Sequence, residues 1–412
     1  MANITFTRGD GAIGAEPASL DHVSGFIFHT TTSIESDAPT RIYTLKELED
    51  LTSFSSATHN VLHYHIREYY AMRQKLTGKA QGELWLMTGD YSLGFDGSDL
   101  QTLQDASGGR CRQIGVWLGI TFATSMVTGS QTYAETNATN NKPHSVLLAA
   151  DISGTAAGSL DDLLALDSEN VSVVAGEDFA GRGAELWASE GVTISMLGAV
   201  LGCVSASGVH ENIGWRGKFE VTHSAAKSDG FTGSIVTEYD EVTISASDIG
   251  GAGTPIKPTD AQVTAVSALG YILGVKEIGL NGTFFNDSYT CTTGTSDYAY
   301  IERQRTMDKA VREVRAALLP KLSGPLYLDA STGKLSKASI EEYKSAAFNG
   351  LEVLANREEI SVDENGLLPA ASVTIDPDQD ILGTSKIVVG IAVVPVGVAR
   401  TIEVNISFAV SV

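Results

Sequence analysis

Residues 402–412 constrain the fold most, because they read as one unbroken β-strand with no further chain to pair with it. Ile402, Val404, Ile406, Phe408 and Val410 alternate with Glu403, Asn405, Ser407, Ala409 and Ser411, the period-two pattern of a strand with one buried face. Such a strand requires a sheet. The preceding run, 386–396, carries Ile387, Val389, Ile391 and Val393 at alternate positions and is expected to form a hairpin with the tail across Val396-Gly397-Val398-Ala399. A two-stranded ribbon is marginal in water, so the tail is expected to pair with more than its own chain. Adding the strand to a neighbouring subunit would satisfy it, with main-chain hydrogen bonds supplying affinity and alternating side chains supplying register.

Composition matters here mainly for what it excludes. Fifty acidic residues against 28 basic ones leave a formal charge of -22, and no Lys/Arg run offers a local exception, so nucleic acid is not an expected partner. Cys111, Cys203 and Cys291 are widely spaced and odd in number, which argues for a reducing compartment and against disulfides or a cysteine metal cluster. Residues 1–10 lack a cationic segment followed by an apolar core, so synthesis in the cytoplasm without a signal peptide is expected. The longest apolar stretches are 191–208, diluted with Gly, Ser and Thr, and 387–399, too short for a bilayer-spanning helix. No membrane insertion is expected.

Periodicity predicts an α/β (α+β) multi-domain chain. Ile4 and Phe6 alternate with Thr5 and Thr7 in an extended, Gly-rich arm over residues 1–20. Strand-like runs at 23–28, 84–87, 113–120, 145–150 and 171–174 are interleaved with helical patterns at 57–72 and 160–166, as in a mixed sheet covered by helices. A Gly-, Ser- and Thr-rich, β-rich insertion covers 215–258, with strands at 234–236 and 241–245, inside a core that extends over 21–295. A C-terminal α/β domain over 296–398 opens with Met307, Val311, Val314 and Leu318 as one stripe of a helix stopped by Pro320, with Asp308 and Arg312 spaced for an i, i+4 pair. Its second helix is expected to start in a capping box of Ser339 and Glu342 and to bury Ile340, Tyr343, Ala347, Leu351 and Leu354. An Asn365-Gly366 turn and an acidic loop, 376–380, then lead into the last strands, with 399–412 as a separate terminal strand.

Several strings imitate functional motifs and fail on context. Gly9-x-Gly11-x-x-Gly14 runs into Ala15-Glu16-Pro17 where a dinucleotide site needs a helix, so a loose arm accounts for the glycines. Arg8-Gly9-Asp10 has no export signal to give it meaning. His59 and His63 have metal-ligand spacing, but Asn60 stands where a zincin needs Glu and no third ligand is indicated. Asp376-x-Asp378-x-Asp380 departs from a calcium loop at Pro377, Ile381 and Ile387. With no G-x-S-x-G elbow and no phosphate-binding loop, no catalytic residue, metal ligand or cofactor is assigned, and the chain is not expected to be an enzyme.

The order of the segments resembles the contractile tail sheath family of phages, tailocins and contractile injection systems. Asp21-His22-Val23-Ser24-Gly25-Phe26-Ile27 followed by 43–48 is similar to the family's early strand and loop. Tyr298-Ala-Tyr-Ile-Glu-Arg303 through Asp308 is similar to the opening of its C-terminal domain, and 386–395 with 402–408 to its last strands. Near the start the chain departs from the family, with 9–14 standing where a Pro-Gly-Val-Tyr segment is common.

The resemblance implies a helical homopolymer knitted by terminal strands around an inner tail tube protein, with baseplate and terminator or cap proteins as further partners, built in the bacterial cytoplasm into a phage tail or injection particle. It implies contraction from a metastable extended state that drives the tube through a target envelope, without hydrolysis. Arg303, Arg305, Arg312 and Arg315 are expected to meet acidic surface on an adjacent subunit. Two other readings compete: a self-assembling shell or surface-layer subunit, and an α/β enzyme dependent on nucleotide or metal.

Overall fold

Apolar runs without polar alternation become strands covered on both faces, and this chain has them in its first half. A computed structural model of the protein describes residues 20–30 and 38–404 apart from 93, 154, 179–181, 226–234, 238–258, 365 and 367, with backbone alone at 223–225 and 235–237. The expected arm with Ile4 and Phe6, the strand at 241–245, and Ile406, Phe408 and Val410 lie outside the described residues.

In chain order the first half comprises β1 (Ser24–His29), β2 (Thr40–Ile42), α1 (Leu45–Glu49), α2 (Asn60–Thr77), β3 (Leu84–Gly89), α3 (Ser98–Ala106), β4 (Gln113–Trp117), α4 (Thr124–Thr139), β5 (Ser145–Ala149) and β6 (Val171–Val174). There follow α5 (Arg182–Glu190), α6 (Leu197–Ala206), β7 (His223–Ala225), β8 (Ile235–Thr237), α7 (Asp260–Ala268), β9 (Tyr271–Ile272), β10 (Gly274–Val275) and β11 (Phe284–Phe285). The last third holds α8 (Ile301–Leu318), α9 (Lys337–Ala355), β12 (Ala371–Thr374), α10 (Ile381–Thr384) and β13 (Gly390–Val393).

Seven strands make one sheet in the order β2-β3-β1-β4-β5-β6-β9, parallel except for the antiparallel edge strand β2. Phe26, Phe28, Leu84 and Leu86 pack on one face against Leu62, Ile66 and Tyr69 of α2 and Val200 and Leu201 of α6. Ile27, Ile114, Val116 and Val146 face the other way, toward Leu100 and Leu103 of α3 and Val127 of α4. The mixed α/β class is thus as expected, and β1, β3, β4, β5 and β6 lie on the strand-like runs read from the sequence. The expected helix at 160–166 shrinks to a 3-10 turn, Leu163–Ala165.

The Gly-diluted apolar stretch is where α2 and α6 touch backbone to backbone. A Cβ on Gly202 would sit 2.7 Å from the Tyr69 carbonyl oxygen, and one on Gly198 would collide with that of His65. Two small residues four apart on one face of α6 are what such an approach needs. No helix among the described residues is long and apolar enough to cross a membrane.

A second, smaller core lies between α8, α9 and the β12–β13 ribbon, with Ala310, Val314, Ala347, Leu351 and Leu354 at its centre. Gly350 lets the helices meet, since a Cβ there would lie 2.9 Å from the Glu313 carbonyl oxygen. α9 begins three residues before the expected box: Ser336 is the N-cap and its hydroxyl accepts from the Ser339 amide at 3.1 Å. β13 pairs antiparallel with β12, Ala371 opposite Val393 and Thr374 opposite Gly390, and most of the tail with which 386–396 is expected to form a hairpin lies outside the described residues. Residues 396–404 carry no regular structure. β12 in turn packs against α9.

Candidate strand-recipient groove

β13 pairs with β12 along one edge only, and among the described residues its other edge is unpaired. Ile391 and Val393 of this strand, with Val389 just before it, line a space whose other side is formed by Val311, Val314 and Leu318 of α8. Between them runs a groove of about 660 Å³. Ala310, Leu351, Leu319 and Leu322 extend its apolar lining. The helical stripe expected of α8 is therefore incompletely covered: Val314 is buried, whereas Val311 is 52% and Leu322 74% exposed. Exposed apolar side chains beside an open sheet edge are a geometry to which an extended segment can bind, with hydrogen bonds to the edge and side chains in the groove.

With this geometry the chain can be compared with known proteins. Residues 297–412, which include α8, α9 and the ribbon, match the family described as DUF2586, C-terminal domain. No curated protein matches the sequence. Among solved structures, a chain of the anti-feeding prophage baseplate superposes with a TM-score of 0.61 at 15% identity, covering 99% of this chain and 100% of that one. A chain of the anti-feeding prophage helical sheath in its contracted state gives 0.60 at 15% identity, covering 98% and 99%. A chain of the sheath complex of PVC, an extracellular contractile injection system, also contracted, gives 0.58 at 14% identity, covering 99% of each. The chain has the fold of contractile tail sheath subunits.

On this sheath fold the arginines singled out from the sequence have different fates. Arg305 is buried; its guanidinium donates to the Ser207 hydroxyl at 2.8 Å and to the Gly208 carbonyl at 3.3 Å, a cation at the C-terminal end of α6. Arg312 donates to Asp21 at 3.1 Å, and the expected pairing with Asp308 gives way to it, with Asp308 accepting from Gln304 at 3.3 Å. Arg303 is half-buried against the Tyr300 ring, and Arg315 alone of the four is exposed, at the rim of the groove.

These contacts belong to a junction of buried charge that joins the sheath fold's sheet to α8. Lys309, with its side chain 1% exposed, reaches Asp21 before β1 and Glu359 after α9, the latter at 2.7 Å. Burial raises the Asp21 carboxyl, but Lys309, Arg312 and Arg305 overcome it and hold the group at about 2. Asp308 goes the other way: burial pushes it up to about 7, reinforced by Glu169 and opposed by Arg312, Arg112 and Arg305.

The histidines of the metal-like spacing are absorbed locally. His59 and His63 lie against the Phe54 ring, and His63 Nε2 is 3.0 Å from Glu49. Sequence reasoning reached Val311, Val314, Val389, Ile391 and Val393 but missed Leu319 and Leu322, which flank the Pro320 that was expected to stop the helix. It also missed Arg400, whose charge near the tail was the available signal.

Proposed function

We propose that the protein is the structural, non-enzymatic subunit of a contractile sheath, whose copies polymerise helically around an inner tube and contract to drive that tube through a target envelope. The observation that carries this is the apolar groove beside the open edge of β13, in a chain with the sheath fold whose own residues 402–412 have the alternating pattern such a groove takes. The occupant is a terminal strand of a second copy. Eleven extended residues span roughly 36 Å, more than enough to run along four-residue β13 and past it. Ile402, Val404, Ile406, Phe408 and Val410 would supply the side chains, with Ile4 and Phe6 of the N-terminal arm as a second donated segment.

Contraction in this reading is a repacking between two arrangements of whole subunits, tethered throughout by the exchanged strands, and needs no hydrolysis. Domain limits at 20, 295 and 398 follow: arm, sheet core, recipient domain and donated strand. Baseplate, tube and cap proteins would be the further partners, in a particle assembled in the cytoplasm. Exposed Arg315 is the basic group best placed to meet an adjacent acidic subunit.

The test is negative-stain electron microscopy of the full chain beside one ending at Arg400, each with and without the cognate tube. Hollow striated tubes from the full chain alone support both sheath and donated strand. Tubes from both chains refute the strand's role, and flat lattices, or no tubes even with the tube present, refute the sheath.

A further inference from the structure

Beyond the recipient groove, the structure holds a second built receptor, at the root of the C-terminal segment. Every described residue of 397–404 is exposed as a whole, with Ile402 at 80% and Val404 at 70%. Among these residues Arg400 alone is hydrogen-bonded to the body through its side chain. Its Nε donates to Asp287 Oδ2 at 2.8 Å, an Nη donates to Glu302 Oε1 at 2.6 Å, and the guanidinium carbon stands 3.3 Å from the centre of the Tyr300 ring.

Both carboxylates are buried and oriented before the arginine arrives. Asp287 Oδ1 accepts from the Asn212 amide at 2.7 Å and from the Ser288 backbone at 2.8 Å, which turns Oδ2 outward. Glu302 Oε2 accepts from the Ser288 hydroxyl at 2.5 Å, which turns Oε1 outward. Each acid thus spends one oxygen on the core and offers the other. The two free oxygens above an aromatic floor match the planar fork of a guanidinium, and a lysine's point charge cannot satisfy both with the same geometry. Burial pushes the Glu302 carboxyl up, against the pull of Ser288 and Arg400, so the group depends in part on the arginine to stay ionised.

We propose that Arg400 is a clamp that fixes where and in which direction the C-terminal segment leaves its own subunit, so that strand exchange pivots beyond residue 400 and not at the end of β13. This rests on the strand-donation reading. Without the clamp, the exposed stretch after Val396 would sample many directions, and a strand that must find one neighbour would be ordered at greater entropic cost. Arg400 acts through the backbone it holds, and it is a positioning residue.

A distance measurement on the monomeric full chain tests this. Spin labels go on Thr102→Cys, exposed on α3, and Val404→Cys, while Cys111, Cys203 and Cys291 are buried. The parent chain is expected to give one narrow distance, lost in Arg400→Gln and only partly kept in Arg400→Lys. Asp287→Asn with Glu302→Gln should lose it too, although Arg400 is present. A narrow distance surviving in Arg400→Gln overturns the clamp, as does a variant that melts earlier yet keeps that distance. Should Arg400→Gln fail to fold with two carboxylates stranded, adding Asp287→Asn and Glu302→Gln removes the buried charge and carries the same reading. The clamp is judged without any tube forming. If the distance is narrow and the chain still makes no tubes on its cognate tube, the sheath reading fails and the clamp stands.

Discussion

Lys309→Met should cost the protein about 4 kcal/mol at pH 7, and the loss should shrink in acid. Lys309 is the cation of a buried triad; Asp21 keeps Arg312 when it is removed, but Glu359 loses its ion-pair partner at 2.7 Å and remains buried at the end of α9. A carboxylate stranded in this way is neutralised by taking up a proton, which from an ordinary pKa near 4.3 costs roughly 1.4 kcal/mol per pH unit, or about 4 kcal/mol at pH 7. That agrees with the range of about 3–5 kcal/mol for breaking a buried ion pair by removing one partner. At pH 5 the same step costs only about 1 kcal/mol. Urea unfolding followed by tryptophan fluorescence at both pH values measures the difference. The double variant Lys309→Met, Glu359→Gln, which removes the stranded carboxylate and leaves Asp21 with Arg312, should recover most of it. A loss below about 1 kcal/mol at pH 7, or an equal loss at both pH values, would show that the triad does not tie α8 to the sheet in this way.

Two further substitutions test the packing and the junction. Gly198→Ala would raise helix propensity by roughly 1 kcal/mol in an open helix, yet here it should destabilise by about 1–3 kcal/mol, because the new methyl meets the His65 carbonyl of α2; a higher melting temperature would refute the close approach. Asp308→Asn should remove a pH dependence: the folded chain holds the Asp308 proton up to about pH 7 while the unfolded chain releases it near 4, so its contribution is full below 4 and is lost as pH rises through 7. Parallel stability curves for the two chains between pH 4 and 8 would contradict the buried, protonated state.

Some features depend only on neighbours along the chain and were legible without coordinates. The apolar runs of β1, β3, β4, β5 and β6 had to be strands of a covered sheet, because only burial on both faces suits them. The spacing of Ile340, Ala347, Leu351 and Leu354 defined the buried face of α9 for the same reason, and the alternation of 402–412 states a need for a sheet edge without naming the edge. What lay beyond reach was the choice among partners of similar local merit. Arg312 has Asp308 one turn away but takes Asp21, 291 residues distant, because folding brings both to the same buried junction. β13 pairs with β12, a strand that packs on α9 and that no local pattern singled out as its partner. Gly198 and Gly202 look like dilution of an apolar stretch until α2 is laid across them. Periodicity is a property of a segment and can be read from it, whereas an ion pair, an open groove or a clamp such as that of Arg400 is a property of distances that exist only after the chain has folded.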